Sequence, residues 1–315
     1  MPAAAACLLL LCVAAVCGCG SGGGRDLQTV RVGVVPIADA APLYLGREKG
    51  FFADVGLAVD PQPASGGAAI IPPVLDGQLE FGFSNTISLL IAASQGRRLA
   101  IVASGALGGT DERRAWANLL VRRDGDIEEA ADLQGRTIGV NSLGNICEVA
   151  IKASLEKQGV DVATLTFAEM PFADMAQALQ SGRVAAICAV EPVLSHAEGS
   201  GARGIDPFYI RTAPDLTVAA WFTSARYART DAEVVARFRR AMNRSLAYAQ
   251  AHPDEARRIQ PCYMDIAAGL ARRIRLPTWR PDLNRPTIAL LARLAEKYGL
   301  IERRPDLDTL VGPTR

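Results

Sequence analysis

At 315 residues the chain exceeds one average domain. Hydrophobic residues make up 50% of it and charged ones 21%, enough apolar material for a sizeable core and a composition that excludes an intrinsically disordered protein. Lys and Arg total 34 and Asp and Glu 33, so a formal charge of +1 gives no overall attraction to nucleic acid or to an anionic membrane, and no nucleic-acid partner is expected.

All those charges lie at or beyond Arg25. Before it, an apolar Ala/Leu/Val/Cys stretch breaks into Gly20-Ser21-Gly22-Gly23-Gly24, the layout of an export signal over residues 1–18 followed by a tether over 19–29. The run from Ala3 to Val16 is shorter than the roughly 20 residues a membrane-spanning helix requires. Val16-Cys17-Gly18-Cys19 resembles a bacterial lipobox, which implies a diacylglycerol on Cys19 and anchoring at the extracytoplasmic face of the cell membrane. The positive charge that usually precedes such an apolar run is absent here.

From Val30 onward short β-rich runs alternate with helical stretches, which predicts an α/β protein with parallel sheets. Strands are expected at Val30–Val35, Leu57–Asp60, Phe81–Phe83 and Leu99–Ala103, with helices at Pro42–Lys49, Ala68–Leu75 and Ile87–Ser94 between them. These form a first lobe over residues 30–110. Asn118–Val121 and Ile138–Val140 open a second lobe over 111–216, continued by a helix ending at Glu156, strand Leu165–Phe167, helix Ala173–Gln180 and strand Ala185–Val190. Val218–Phe222 reads as a strand returning to the first lobe, and residues 217–315 are otherwise mainly helical.

Thr230-Asp231-Ala232-Glu233 has the spacing of a capping box, and Val235, Phe238, Met242, Leu246 and Ala249 follow as a buried helical face. Arg237, Arg239, Arg240 and Arg244 would occupy the solvated side of that helix. Pro286–Lys297 reads as the last substantial helix, and the tail from Pro305 to Arg315 as loosely packed.

Once a signal and a lipidated Cys19 are set aside, Cys147, Cys188 and Cys262 remain. Their number and long spacing match neither a zinc site nor a disulfide framework, so they read as small buried hydrophobes, with a Cys147–Cys188 bridge as the alternative. No G-x-S-x-G, H-E-x-x-H or G-x-x-x-x-G-K-[ST] motif occurs, and His196 and His252 are too far apart in sequence to suggest a site. No catalysis, cofactor or metal is expected.

Gly33-Val34-Val35-Pro36, Ala41-Pro42-Leu43-Tyr44-Leu45, Glu48-Lys49-Gly50-Phe51-Phe52, Leu75–Gly82, Asp132–Val140 and Glu191-Pro192 together resemble the substrate-binding proteins of nitrate/sulfonate/taurine-type ABC importers. The resemblance implies a type II periplasmic-binding-protein-like fold, with two α/β lobes joined by two crossover segments and closing on a ligand between them. It further implies a monomer that delivers a small organic anion or zwitterion, sulfonate- or taurine-like, to a permease and its ATPase. Nitrate, bicarbonate and an aminopyrimidine or other heterocycle are the alternative ligands. A related branch makes or carries thiamin pyrimidine, but its first-loop run of Asp-Trp, Pro and Asn-Thr-Asn-His is absent from Pro36–Ala41.

Ligands of α/β sheets sit beyond the carboxyl ends of strands, where loops and helix N-termini converge. Three such places are candidates: Ile37, Asp39 and Ala40 in the first loop, Ser84, Asn85 and Thr86 after the third strand, and Ser142, Gly144 and Asn145 in the second lobe. Each of the last two sets offers cap residues and helix N–H donors. Glu191 would face the cleft or brace the hinge, and Trp221, Tyr44 and Phe172 are candidates for an aromatic wall.

Overall fold

The computed structural model describes residues 26–312. The signal, Cys19 and most of the tether therefore lie outside the described residues. Within them β1 (Gln28–Val34), α1 (Ala41–Glu48), β2 (Leu57–Pro63), α2 (Gly67–Leu75), β3 (Phe81–Asn85), α3 (Thr86–Ser94) and β4 (Leu99–Ser104) alternate as expected. The chain then runs through β5 (Ala117–Arg122), β6 (Thr137–Val140), α4 (Ile146–Glu156), β7 (Thr166–Glu169), α5 (Phe172–Gln180), β8 (Ala186–Val190), α6 (Val193–Gly199), β9 (Ala202–Asp206) and α7 (Phe208–Thr212). β10 (Ala219–Ser224) precedes α8 (Ala225–Thr230), α9 (Ala232–Ala251), α10 (Pro253–Arg258), α11 (Ala268–Ala271), α12 (Arg285–Lys297) and α13 (Leu307–Val311).

Two five-stranded sheets result, ordered β2-β1-β3-β10-β4 and β7-β6-β8-β5-β9. In the first, β1 is parallel to β2 and β3 while β10 runs antiparallel between β3 and β4. The second repeats the scheme, with β6 parallel to β7 and β8 and β5 antiparallel between β8 and β9. In each sheet the antiparallel strand is the one entered by a crossover from the other, so two extended connections join the lobes. Helices cover the sheets, which is why the central strands are buried runs rather than alternating ones: β8 is buried at all five positions and β10 at all six.

The long helix α9 lays Val235, Phe238, Met242, Leu246 and Ala249 into the first lobe's core, beside α1. Gly46 permits this close approach, because a Cβ there would meet Ser245 Oγ at 1.9 Å. The arginines of α9 do more than solvate it. Arg237 donates to the Val55 carbonyl at 3.3 Å, Arg239 to the Val102 carbonyl at 2.9 Å and Arg244 to Asp54 at 2.8 Å, so three of them fasten the helix to loops and strands beneath.

Several sequence expectations are corrected. The tether does not reach residue 29, since Gln28 and Thr29 already pair with β2. The capping box at Thr230 does not form: Thr230 ends α8, and its hydroxyl turns to the Asp231 carboxylate at 2.6 Å. The tail is not loose over 307–311, where α13 buries Leu310 and Arg285 pairs with Asp308. Cys147 and Cys188 are joined in a disulfide that ties the start of α4 to the middle of β8, whereas Cys262 is free and exposed. Among the described residues no helix is long and apolar enough to cross a membrane.

Candidate ligand site between the two sheets

The carboxyl ends of β1 and β3 face those of β6 and β8 across a cleft. Its deepest part is a chamber of about 50 Å³ lined from both lobes, by Asp39, Phe83, Ser84 and Asn85 on one side and Asn141, Asn145, Cys147 and Tyr209 on the other. Above it opens a chamber of about 830 Å³ between the loop Pro36–Ile37, the start of α5, helix α6 and the segment from Tyr263 to Arg273. The two share Val35, Ile37 and Phe172, which form the neck between them.

Asp39 is the dominant polar group of the inner chamber. It stands in a short turn after β1, is 3% exposed, and its Oδ1 has no hydrogen-bond partner. Its main-chain carbonyl accepts Trp279 Nε1 at 3.3 Å, which holds the turn against the C-terminal segment. Burial raises the Asp39 carboxyl to about 7, only partly offset by a hydrogen bond from its own backbone. The hydroxyl of Tyr209 is pushed well above its usual value, chiefly by burial and further by the Asp39 charge, so these groups sense one another. Ser84 Oγ, fully buried on the same wall, is likewise without a partner.

The two asparagines are engaged locally. Asn85 caps α3 by accepting from Ser88 N at 3.0 Å and donates to Ser88 Oγ at 2.9 Å. Asn145 caps α4, accepting from Cys147 N at 3.0 Å, and donates to Asn141 Oδ1 at 2.7 Å. These caps aim the helix N-termini at the chamber. The disulfide stands behind Asn145, fixing the first turn of α4 on the sheet.

Of the residues singled out from sequence, Ile37, Asp39, Ser84, Asn85, Asn145 and Phe172 come together around the chambers, and the others do not. Ala40 is fully buried in the first lobe's core. Thr86 turns away, its hydroxyl donating to the Thr217 carbonyl at 2.6 Å, and so fastens α3 to the segment that enters β10. Ser142 bonds only its neighbour Leu143, and Gly144 has the left-handed φ of 63° that lets its N–H reach Glu148 Oε2 at 2.9 Å. Trp221 is a core residue, packed between Phe83 and Phe238, and Tyr44 stacks on Tyr263.

Glu191 also lies off the chamber walls. Fully buried at the end of β8, it accepts the Ser195 hydroxyl at 2.7 Å and the backbone N–H of Arg275 at 3.1 Å, while its own carbonyl accepts from Ala38 N at 3.2 Å. Burial raises its carboxyl, and the Ser195 and Arg275 bonds counter this. This geometry is that of a brace between the lobes, reinforced by the Arg275–Glu198 ion pair at 2.6 Å.

Phe83, Tyr209 and the whole Tyr263–Arg273 wall escaped the candidate set. Asn141 lies in the Asn141–Asn145 loop that drew attention to Asn145. Tyr209 and the Tyr263 segment carry no local signal, being brought to the cleft by tertiary packing from far along the chain. Among the described residues no cluster of three or more His, Cys, Asp or Glu side chains could hold a metal ion, and no Lys or Arg lines the inner chamber.

Residues 37–256 match the family described as NMT1/THI5 like. The formylaminopyrimidine-binding protein of Halalkalibacterium halodurans is 26% identical over 237 residues, 73% of this chain and 69% of that protein. The bicarbonate-binding protein CmpA of Synechococcus elongatus is 46% identical over 57 residues, which span 18% of this chain and only 13% of CmpA. The periplasmic aliphatic sulphonate binding protein SsuA of Escherichia coli superposes with a TM-score of 0.73 at 16% identity, covering 90% of this chain and 97% of that one. The two-lobed body is thus the periplasmic-binding-protein fold, and the chain belongs to the NMT1/THI5-like family.

Proposed function

We propose that the protein is an extracytoplasmic solute-binding protein that captures a small ligand between its lobes and presents it to an ABC permease. Lipid anchoring through Cys19 belongs to this reading. The observation that carries it is the inner chamber itself, built from both lobes, with two buried polar atoms without a partner, Asp39 Oδ1 and Ser84 Oγ, on its walls. A ligand satisfying groups of both lobes favours their closed arrangement and turns occupancy into a shape the permease can read. Carriage without chemistry on the ligand belongs to the same reading.

The same chamber favours one part of the expected ligand range. Above about pH 7 the ionised Asp39 carboxylate, without a neighbouring cation, repels a bare sulfonate or other oxyanion, whereas a protonated amine, amidine or aminopyrimidine nitrogen donates to it. The formylaminopyrimidine-binding relative is consistent with such a head group. A taurine-like zwitterion fits only with its ammonium at Asp39.

The test is a thermal-shift screen of the purified oxidised protein against amines, aminopyrimidines, sulfonates and carboxylates, repeated with Asp39→Asn. Stabilisation by nitrogen compounds that disappears in the variant supports the reading. Stabilisation by sulfonates alone, unaffected by the substitution, overturns the head-group assignment.

A further inference from the structure

The inner chamber cannot hold a whole ligand of ordinary size. At about 50 Å³ it has room for a head of a few heavy atoms, since one water occupies about 30 Å³ in the liquid, whereas small-molecule sites generally measure about 300–1,000 Å³. The outer chamber, about 830 Å³, falls within that range, and it borders the inner one at Val35 and the half-buried Ile37 and Phe172, which line both.

The chemistry changes across that neck. Beyond it the walls are apolar, made by Val193 on one side and Met264, Ile266 and Leu270 on the other. Of the polar side chains on this lining, Tyr263 donates its hydroxyl to the Ile37 carbonyl at 3.3 Å, Ser195 gives its own to Glu191, Ser200 gives its own to the His196 carbonyl at 3.0 Å, and Ser65 is exposed. His196, Asp265 and Arg273 are exposed, at the rim. Such walls demand nothing of a ligand except that it leave water, which a hydrocarbon or aryl group does at a gain and a polar chain at a loss.

From these two chambers we infer that the ligand is bipartite, a nitrogen head seated at Asp39 and an apolar body, aryl or branched alkyl, extending past Phe172 into the chamber walled by Val193, Met264, Ile266 and Leu270. The inference rests on the head-group reading above and adds to it the class of the remainder. It sets this site apart from one shaped for a compact polar solute, which would leave the outer walls wet.

Isothermal titration of the oxidised protein with 4-aminopyrimidines bearing hydrogen, methyl, propyl or benzyl at ring carbon 5 tests it. Affinity is expected to climb about fourfold per added methylene, in line with roughly 0.8 kcal/mol for each one buried. Leu270→Trp, which fills the chamber, and Ile266→Ser, which makes its wall polar, should each flatten that climb while the circular dichroism spectrum stays that of the parent. A flat series in the parent protein, with binding still abolished by Asp39→Asn, overturns the apolar body and leaves the head-group reading standing. Absence of binding by every member, or binding indifferent to Asp39→Asn, overturns both.

Discussion

Asn85 and Asn145, from opposite lobes, use their side chains in the same way: each oxygen accepts a backbone N–H of the helix it caps, and each amide nitrogen donates to a neighbour in its own lobe. They meet in one chamber, yet little of their hydrogen-bonding capacity is left for a ligand. Were they ligand contacts alone, their replacement would leave the stability of the unliganded protein nearly unchanged. Their capping role reverses that expectation. Asn85→Ala and Asn145→Ala should each destabilise the unliganded protein by about 1 kcal/mol, read from urea denaturation midpoints. Equal midpoints for parent and variants would show the caps to be energetically idle.

Asp39 gives the opposite sign. Its carboxyl is raised to about 7 from an ordinary value of 3.8, so between those pH values the folded protein keeps a proton that the unfolded chain has released. Through this residue the unliganded protein loses stability as pH rises from about 4 to about 7, and the loss is complete above that. Asp39→Asn removes a penalty of about 4 kcal/mol at pH 8, at 1.36 kcal/mol per unit, and much less at pH 5. Denaturation of both proteins at the two pH values checks this; a variant less stable than its parent at pH 8 contradicts it.

Glu191 separates bracing from binding. Glu191→Ala removes the acceptor of the part-buried Arg275 N–H and Ser195 hydroxyl, at a cost of about 1 kcal/mol for each bond lost. The expected result is a marked fall in stability and a wider distribution of lobe separations in small-angle scattering, with ligand still bound once the lobes close. Complete loss of binding in a normally stable variant would return Glu191 to the ligand's own contacts.

The Cys147–Cys188 bridge closes 41 residues of chain, for which loop-closure entropy gives about 4 kcal/mol. The double Cys→Ala variant should unfold at correspondingly lower urea, with the second lobe affected first in hydrogen exchange around α4 and β8. Uniform loss of protection in both lobes would mean that they unfold as one unit.

Trp221→Leu should lower stability by a few kcal/mol through the cavity it leaves beside Phe83 and Phe238, while aminopyrimidine affinity changes little. Calorimetry reports both quantities in one preparation, and a large affinity change with little loss of stability would bring the indole back to the ligand.

Much of this architecture is legible in the sequence because buried parallel strands are short apolar runs and the helices between them keep their period. β1, β3, β8 and the buried face of α9 are of that kind. β9 is not: Ala202-Arg203-Gly204-Ile205-Asp206 mixes charge and glycine because it sits at a sheet edge, where only one neighbour constrains it. Thr230 misleads for a related reason, since a capping pattern looks the same whether its first residue opens a helix or closes the preceding one. In the site, Asp39, Ser84, Asn85 and Asn145 are found because strand ends and caps mark them locally. Tyr209 reaches the cleft on α7, after the edge strand β9, and the wall from Tyr263 to Arg273 reaches it through the second crossover and the helices that follow; no local pattern encodes either approach. The indole of Trp221 is the converse case, an aromatic at the right point of the chain whose strand directs it into the core.

The position of β10 between β3 and β4 bears on how the molecule matures. The second lobe's sheet is one uninterrupted stretch, from Ala117 to Asp206, and contains all its own strands. The first cannot zip up until the ribosome has supplied Ala219–Ser224, so β4 waits without its neighbour while the whole inserted lobe is synthesised. A chain released early would expose two bare strand edges at once, an invitation to aggregate.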